Sequence, residues 1–553
     1  MRKKLLLWLA IVSMALVGCI SVGAKPIDPI DVKDIVVLYT NDVHCAIAPY
    51  EAGNILGYAA AAAMKKELIA SGHDVILVDA GDAIQGEAIG TLSDGNYLVD
   101  IMNKTGYDLA VPGNHEFDYG MKKFLSLSEK AEYEYISCNF MDLTSDKSVF
   151  DAYVIRELGG KKIAFVGICT PRTITSSTPT YFQNENGKFV YGFQQDFDGT
   201  ALYSCVQKAV DAARNDGAEF VIAVAHLGVD NNCSPWMSTE VIENTTGIDV
   251  MLDGHSHSTI ECEQVNNKDG NSVLLTSTGT KFSAIGQLTI GPDGNITSRL
   301  ITNYDKSDPE VESYIGDINA EFEGILNEVV AKTAVNLVIN EPSTIYQEVK
   351  KRLIRNSETN MGDFCADAYR YVSGADIAIV NGGGIRADIL EGNITYNDII
   401  RVHPYSNELC MVEATGQKIL DALELGAMMV PEESGAFLQV SGLTYEIHTD
   451  IKSSVQLDEN GMFTEVKGEY RVKNVMIDGK LLDLQETYTV ASHNYIIKNA
   501  GDGMNMFQDC KLVLEDIMID NQVLITYITK GLQGIVGEEY ANPYGEGRIT
   551  MEQ

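Results

Sequence analysis

Short apolar runs alternate with amphipathic segments through the first half of the chain. The runs are 35–39, 75–78, 109–111, 163–168, 220–225 and 248–253. They are continuous and rich in Val and Ile, as in strands that are buried on both faces of a parallel sheet. Helical patterns lie between them, at 55–69, 100–104, 121–130 and about 199–216. Repeated strand–helix–strand units predict an α/β sandwich.

Polar residues follow five of these runs, at the point where each predicted strand ends. They are Asp42, His44, Asp82, Asn114, His226, His255 and His257. The carboxyl ends of parallel strands meet at one edge of a sheet, so we expect these side chains to converge. Taken singly, each has a simpler interpretation as a helix N-cap, a turn or a hydrogen-bonded core residue. Caps and turns do not require His at four positions, so the set predicts a metal centre.

The types of ligand restrict the chemistry of that centre. Carboxylate, imidazole and amide ligands suit Mn, Zn, Fe or Co, and the absence of thiolates from the set argues against a structural zinc site. Seven ligands exceed what one ion needs. We therefore predict two divalent ions that share Asp82, an arrangement that clamps a phosphoryl group and activates water. The predicted reaction is hydrolysis of a phosphate ester or anhydride.

The N-terminus has the pattern of an export signal. Arg2, Lys3 and Lys4 precede an apolar run at 5–17 that is too short to span a bilayer. Residues 16–19 resemble a bacterial lipobox, which predicts a signal peptide at 1–19, a lipid anchor on Cys19 and a tether at 20–33. Ordinary cleavage after Ala24 is the alternative. Either interpretation predicts an exported protein, and the first places it on a membrane at the cell surface or periplasmic face.

Charge and cysteine content exclude some classes of binding partner and of structural site. The formal charge of −37 opposes binding to nucleic acid and to anionic membranes. An anionic substrate would need local cations, for which metal ions and a few arginines are the candidates. Nine cysteines besides Cys19 are scattered without a Cys-x-x-Cys pair, so we predict neither a disulfide framework nor a zinc ribbon.

The pattern changes after about residue 300. Residues 308–335 form a nearly continuous helical pattern, with Asp308 as the N-cap and Pro309 at the first helical position. We interpret it as a linker helix between domains at 34–303 and 337–550. The alternative is a terminal helix that packs on the first domain.

The polar motifs of the first half together resemble those of the calcineurin-like metallophosphoesterases. They are Asp42-x-His44, Gly81–Asp82, Gly113–Asn114–His115–Glu116, His226 and Gly254–His255–Ser256–His257. With the second unit added, the chain resembles the 5′-nucleotidase family, which includes UDP-sugar hydrolases, from about residue 34 to 549. The resemblance implies a two-domain α/β fold. An N-terminal metallophosphoesterase sandwich would be joined by the linker helix to a C-terminal α/β substrate-binding domain.

The resemblance also implies roles for individual residues. One ion would be held by Asp42, His44, Asp82 and His257, and the other by Asp82, Asn114, His226 and His255. His115 would contact the transferring phosphoryl group, and Asp118 would orient it. The implied substrate-binding residues are Arg355, Asn381, Gly383, Arg386, Phe437, Tyr495 and Asp502.

Two aromatic rings hold the nucleobase in this family, and Phe437 matches one of them. The position six residues before Asp502, where the family has the second ring, is Ile496. Tyr495 matches only if the loop contains one extra residue.

The implied activity is removal of the 5′-phosphate from nucleoside monophosphates, with UDP-sugars or other nucleotide diphosphates as further candidate substrates. One alternative is the related activity on 2′,3′-cyclic nucleotides and 3′-nucleotides. Another is a surface lipoprotein that binds nucleotides without catalysis. The expected partner is a small-molecule nucleotide, and the sequence does not give the oligomeric state.

Overall fold

The computed structural model describes residues 34–47, 56–344, 351–515 and 518–552. The predicted signal peptide, the tether and Cys19 lie outside these residues. Among the residues described, each helix is too short or too polar to cross a membrane. The chain forms two α/β domains, as predicted.

The first domain contains the first fifteen strands and eight helices. The strands are β1 (Ile35–Thr40), β2 (Asp74–Asp79), β3 (Leu109–Ala110), β4 (Glu134–Tyr135), β5 (Phe140–Asp142), β6 (Lys147–Ser148), β7 (Tyr153–Leu158), β8 (Lys161–Cys169), β9 (Tyr191–Phe193), β10 (Phe220–His226), β11 (Val250–Leu252), β12 (Thr259–Asn266), β13 (Ser272–Thr278), β14 (Ile285–Ile290) and β15 (Ile296–Ile301). The helices are α1 (Tyr58–Ala70), α2 (Ala88–Ser93), α3 (Asn96–Thr105), α4 (Met121–Lys130), α5 (Thr173–Ser176), α6 (Thr200–Asn215), α7 (Ser238–Asn244) and α8 (Pro309–Leu326).

Two six-stranded sheets form the sandwich of this domain. Their strand orders are β15-β14-β1-β2-β3-β4 and β12-β13-β11-β10-β8-β7. The central strands run parallel: β1 pairs with β2 up to Thr40↔Asp79, and β8 pairs with β10 up to Cys169↔His226. All six residues of β1 are buried, which explains its continuous apolar sequence. The loops after the parallel strands therefore lie together at one edge of the sandwich.

Tyr39 connects the two sheets. Its ring projects from β1 across the backbone of Gly286 in β14, and its hydroxyl lies 2.5 Å from Oγ1 of Thr276 in β13. Tyr39 is completely buried, and its neighbours leave no room for a side chain at position 286. The absence of a Cβ at Gly286 is what admits the ring.

The predicted helix at 308–335 is shorter than its pattern indicates. Helix α8 ends at Leu326, and Val329–Thr333 forms a strand. Three of these five residues, Val329, Val330 and Thr333, are β-branched, which favours a strand. The side chain of Asp308 accepts the N–H groups of Glu310 and Val311, which confirms the predicted N-cap. Helix α8 packs on α1 and α3, as in the alternative of a terminal helix of the first domain.

The second domain contains the remaining elements. Its strands are β16 (Val329–Thr333), β17 (Ile377–Asn381), β18 (Gly392–Thr395), β19 (Leu409–Thr415), β20 (Leu438–Ser441), β21 (Leu443–His448), β22 (Val455–Leu457), β23 (Phe463–Val466), β24 (Val472–Ile477), β25 (Lys480–Leu481), β26 (Thr487–His493), β27 (Lys511–Leu514), β28 (Ile535–Val536) and β29 (Ile549–Glu552). Its helices are α9 (Asn360–Ser373), α10 (Tyr396–Val402), α11 (Gly416–Gly426), α12 (Asn494–Ile497) and α13 (Asp520–Thr526). The central sheet has the order β20-β17-β26-β19-β27, in which β17 and β26 run parallel.

Replacing Gly286 with Ala should destabilise the first domain, because the new methyl group would overlap the Tyr39 ring. We expect a loss of about 1–3 kcal/mol, the usual cost of overpacking a core. Thermal unfolding measures it. Gly316→Ala is the control: this position of α8 has open space around it, and alanine should stabilise the helix slightly. A Gly286→Ala protein as stable as wild type would contradict the packing role of Tyr39.

Candidate active site

The predicted metal ligands converge at the edge where the parallel strands of the sandwich end. Asp42 and His44 follow β1, Asp82 follows β2, Asn114 follows β3, His226 ends β10, and His255 and His257 follow β11. Five of them have left-handed backbone conformations, with φ between 47° and 78°. These are Asp42, His44, Asp82, His255 and His257. The sharp turns direct the side chains inward, across the ends of the sheets.

The ligand atoms form two adjacent groups. One contains Asp42, His44 and His257, and the other contains Asp82, His226 and His255; the atoms of each group lie within 4.8 Å of one another. Oδ2 of Asp82 lies between the groups, 3.2 Å from Nε2 of His226 and 3.8 Å from Nε2 of His44. Oδ1 of Asn114 lies 2.8 Å from Nδ1 of His255. All seven predicted ligands are therefore in one place.

The electrostatics of this centre fit divalent cations. Burial lowers the pKa of His226, but the Asp82 and Asp42 carboxylates outweigh burial and raise it to about 10. The buried Nε2 atom of His226 forms no hydrogen bond among the described residues. The Nε2 atoms of His44 and His257 face each other at 3.0 Å, and burial keeps both rings neutral. Buried carboxylates that attract positive charge, beside neutral imidazoles, are the donor set of a borderline divalent metal.

Backbone carbonyl groups orient two of these imidazoles. Nδ1 of His44 lies 3.0 Å from the Gln85 carbonyl oxygen, and Nδ1 of His226 lies 2.7 Å from that of Ala80. Nδ1 donates in both contacts because a carbonyl oxygen can only accept. Nε2 of each ring is left free to bind a metal ion.

Glu116 fastens two of the ligand loops together. Its carboxylate, 1 % exposed, accepts the backbone N–H groups of Asp82, Ala83 and Gly113 at 2.9, 2.8 and 2.6 Å. These loops contain Asp82 and Asn114. In the sequence, Glu116 is marked only by its place in a motif, directly after His115. The structure shows that it holds the ligands without being one of them.

His115 and Asp118 form a pair at the edge of the metal centre. Nδ1 of His115 lies 2.5 Å from Oδ2 of Asp118, whose other oxygen accepts a hydrogen bond from Ser177. Burial opposes a charge on His115, but the Asp118 carboxylate outweighs burial and raises the pKa of the imidazole. The His115 ring stacks on Tyr405 of the second domain, with 5.8 Å between ring centroids.

A cavity of about 160 Å³ joins this centre to the second domain. It is lined by Asp82, Asn114, His115, Asp118, His255 and His257 of the first domain and by Arg355, Asn381, Gly383, Arg386, Tyr495 and Asp502 of the second. The Arg386 guanidinium lies 6.0 Å from the centre of the Tyr405 ring, which brings it close to His115. The hydroxyl of Tyr495 donates to the Thr175 carbonyl oxygen across the domain boundary.

Phe437 does not lie at the cavity, contrary to the sequence prediction. Its side chain is completely buried in the core of the second domain, together with Ile496. The backbone of Phe437 hydrogen-bonds to Ser434 and Gly382, which turns the ring into the core. Tyr495, the other candidate for the second ring, lines the cavity.

The cavity also contains residues that the sequence analysis missed. They are Arg172, Tyr181, Asp230, Arg352, Tyr405 and Asn499. Arg172 follows β8 by three residues, so its position near a strand end was an available signal. Asp230 follows β10 by four residues and had a similar signal, whereas Arg352, Tyr405 and Asn499 belong to the second domain and reach the cavity where that domain packs on the first.

Two family models match the chain. The model of the calcineurin-like phosphoesterases matches residues 35–259, and that of the 5′-nucleotidase C-terminal domain matches residues 329–509. The chain therefore resembles the calcineurin-like phosphoesterases in its first domain and the 5′-nucleotidases in its second. The combination of these two domains accounts for both sides of the cavity.

Several known proteins resemble the chain over most of its length. The trifunctional nucleotide phosphoesterase protein YfkN of Bacillus subtilis is 27 % identical over 93 % of this chain, which spans 35 % of YfkN. A 5′-nucleotidase of Vibrio parahaemolyticus is 25 % identical, over 97 % of this chain and 96 % of its own. The crystal structure of a 5′-nucleotidase precursor from Thermus thermophilus has a TM-score of 0.77 and 24 % identity, covering 94 % of this chain and 99 % of its own.

Replacing Glu116 with Gln should weaken metal binding, because an amide cannot accept all three N–H groups and carries no charge. We expect the dissociation constant for Mn²⁺ to rise about 10- to 100-fold, as for other residues that orient metal ligands. Titration calorimetry on the metal-free protein measures it. Glu132→Gln, at an exposed position, serves as the control. Equal affinities of both variants and the wild type would show that Glu116 does not position the ligands.

Proposed function

We propose that this chain is an exported, metal-dependent phosphohydrolase that removes the 5′-phosphate from nucleoside 5′-monophosphates. One observation carries the proposal: a single cavity joins the two candidate metal groups to Arg355, Arg386 and Asp502 of the second domain. Phosphate would be cleaved on one side of this cavity and the nucleoside recognised on the other. The names of the Vibrio 5′-nucleotidase and of YfkN support nucleotides as the substrates.

The metal-binding side has the composition that phosphoryl transfer needs. We assign Asp42, His44, Asp82 and His257 to one ion, and Asp82, Asn114, His226 and His255 to the other. The position of Asp82 Oδ2 between the two groups supports its role as the shared ligand. When bound, such ions supply a Lewis acid for the phosphoryl oxygens and lower the pKa of water. Their identity among Mn, Zn, Fe and Co stays open.

His115, Arg355 and Arg386 would act on the phosphoryl group itself. An imidazolium offsets the negative charge that develops on the phosphoryl oxygens and on the departing ribose oxygen. Asp118 keeps His115 protonated and orients it through Nδ1, so that Nε2 can face the substrate. The planar guanidinium groups bind phosphate oxygens in a forked geometry.

The nucleoside would occupy the side of the cavity formed by the second domain. Asn381 and Asp502 offer polar atoms to the ribose hydroxyls, and Gly383 lets the backbone approach closely. The ring of Tyr495 offers a stacking surface for the base. It is fixed at its hydroxyl, which donates to Thr175 and accepts the N–H of Asp502.

Two further arginines support a wider range of substrates. Arg172 and Arg352 line the same cavity as Arg355 and Arg386. The chain has a net charge of −37, so four guanidinium groups in one cavity are a local concentration of positive charge. Four are more than the phosphate of one nucleoside monophosphate needs. We therefore include UDP-sugars and other nucleotide diphosphates among the candidate substrates. Export and the lipid anchor on Cys19 rest on residues 1–33 and stay predictions from the sequence.

The proposal predicts metal-dependent release of phosphate from 5′-AMP. The purified protein is assayed after chelation, and again with Mn²⁺ added, on 5′-AMP, 3′-AMP, 2′,3′-cyclic AMP and UDP-glucose. Chelation should abolish turnover and Mn²⁺ should restore it, with 5′-AMP the preferred monophosphate. Preference for the 3′ or cyclic substrates would assign the related 3′-nucleotidase activity. Nucleotide binding without turnover would assign a non-catalytic lipoprotein.

Asp82→Asn is the control for the metal centre in this assay. The substitution removes a charge that both metal groups share, and we expect a loss of at least about 100-fold in kcat, the scale of a lost electrostatic contact in a transition state. Substantial activity of this variant would contradict the two-metal assignment.

Tyr495→Ala should raise the KM for 5′-AMP more than the KM for p-nitrophenyl phosphate, which has no base. Stacking of a base on an aromatic ring contributes about 1–3 kcal/mol, so we expect about a 5- to 100-fold difference between the two effects. Phe437→Leu is the control, since Phe437 lies in the core and should change thermal stability rather than the ratio of KM values. Equal effects of Tyr495→Ala on both substrates would exclude stacking.

A further inference from the structure

The second domain contains a buried histidine directly behind the proposed nucleoside pocket. His493 ends β26, and Asn381 ends the parallel neighbour β17, so the two residues lie side by side where these strands end. Only 1 % of His493 and 3 % of Asn381 is exposed. Asn381 lines the cavity, and His493 lies behind it. No part of the metal centre involves this histidine.

Hydrogen bonds connect His493 to Asp502 through Asn381. Nε2 of His493 lies 3.1 Å from Oδ1 of Asn381, and Nδ2 of Asn381 donates to Oδ2 of Asp502 at 2.6 Å. An amide oxygen only accepts, so Nε2 of His493 must carry the proton. Burial lowers the pKa of His493 to about 3, so the ring is neutral and Nδ1 has no proton. Consistently, Nδ1 forms no hydrogen bond within the described part of the chain.

This chain of donors determines which way the Asn381 amide points. If the amide were reversed, its oxygen would face the Asp502 carboxylate, and its N–H groups would face the N–H of His493. Both contacts would be repulsive. The Asp502 carboxylate sets the orientation in which Asn381 donates to it, and the proton on Nε2 of His493 stabilises that orientation from the other side of the amide.

Asp502 depends on this support because its environment opposes its charge. Its backbone has a left-handed conformation, with φ of 54°, and burial raises the pKa of its carboxyl to about 6. The Asn381 N–H lowers that pKa and so favours the ionised form. An ionised Asp502 can only accept hydrogen bonds, as a partner of two ribose hydroxyls must.

The His493 ring is itself held in place. Tyr369 packs edge-on against it, with 6.0 Å between ring centroids and 77° between the ring planes, and Tyr495 lies 5.8 Å away on centroids. The same buried histidine thus contacts the proposed base contact, Tyr495, directly and the proposed ribose contact, Asp502, through Asn381.

We propose that His493 is a positioning residue for nucleoside recognition, acting through Asn381 to present Asp502 to the ribose hydroxyls. The inference rests on the proposed function, because it assigns the nucleoside to this side of the cavity. His493 acts on the part of the substrate that distinguishes a nucleotide from a simple phosphate ester. It therefore determines specificity rather than the chemical step.

The test compares His493→Leu, which cannot donate to Asn381, with His493→Gln, whose side-chain N–H can. We expect His493→Leu to raise the KM for 5′-AMP about tenfold more than that for p-nitrophenyl phosphate, the scale of a lost hydrogen bond in a network with a charged group. His493→Gln should restore most of the ratio. Ser492→Ala is the matched control, since Ser492 is equally buried in β26. An unchanged ratio for His493→Leu, or equal losses in the Leu and Gln variants, would overturn the proposal.

Two further measurements distinguish a failure of this inference from a failure of the proposed function. If the wild type neither hydrolyses 5′-AMP nor binds adenosine in calorimetry, the proposed function is wrong; if it does and the variant ratios are unchanged, only the role of His493 is wrong. Nitrogen-15 spectra of the histidine-labelled wild-type protein test the proton position directly, so this measurement does not depend on whether a variant folds. They should show a neutral His493 with the proton on Nε2 at pH 6, and a proton on Nδ1 would overturn the inference.

Discussion

The burial of carboxylates at the ends of the parallel strands is the constraint on which the first domain depends. Asp42 and Asp82 are 0 % and 1 % exposed and lie within one centre. Two such charges are tolerated in a protein interior only beside cations and hydrogen-bond donors. Burial raises the pKa of Asp82, but the imidazoles of His226 and His115 outweigh burial and hold that pKa well below its usual range. The same requirement for positive charge makes the centre suited to metal ions.

A second set of buried carboxylates holds the ligand loops. Asp79 accepts the N–H of Gly81, Glu116 binds the loops of Asp82 and Asn114, and Asp253 accepts the N–H groups of Leu227 and Gly228, directly after His226. Glu116 and Asp253 bind the loop after a neighbouring strand, and Asp79 binds the loop after its own strand. This matters because five ligands have left-handed backbones, which cost about 1–2 kcal/mol each for a residue with a side chain. The carboxylates hold the loops in conformations that they would not adopt alone.

The sequence predicts the residues that the first domain contributes to the cavity better than those that the second domain contributes. Metal ligands follow continuous apolar runs, and in a parallel sheet the end of each run defines a position in space. Tyr405 has no such marker, because it reaches the cavity only where the second domain packs on the first. Phe437 shows the same limit: it is next to β20, but the turn at Ser434 decides whether its ring faces the cavity or the core. The end of α8 was predicted too late because charged and apolar residues continue beyond Leu326, although the β-branched residues Val329, Val330 and Thr333 favour a strand.

The contacts between the domains suit an enzyme that must admit and release a polar ligand. They include hydrogen bonds and ion pairs, such as Arg401 with Glu87, Thr91 with the Pro404 carbonyl and Thr180 with Asn499. Water can replace such contacts at a net cost of about 0.5–1.5 kcal/mol each, far less than an apolar interface of the same size would need. The cavity of about 160 Å³ is smaller than the roughly 300 Å³ at which ligand pockets usually begin. If the substrate is a nucleotide, as we propose, the cavity would have to widen to admit it, and polar contacts between the domains can be exchanged for water at a small cost.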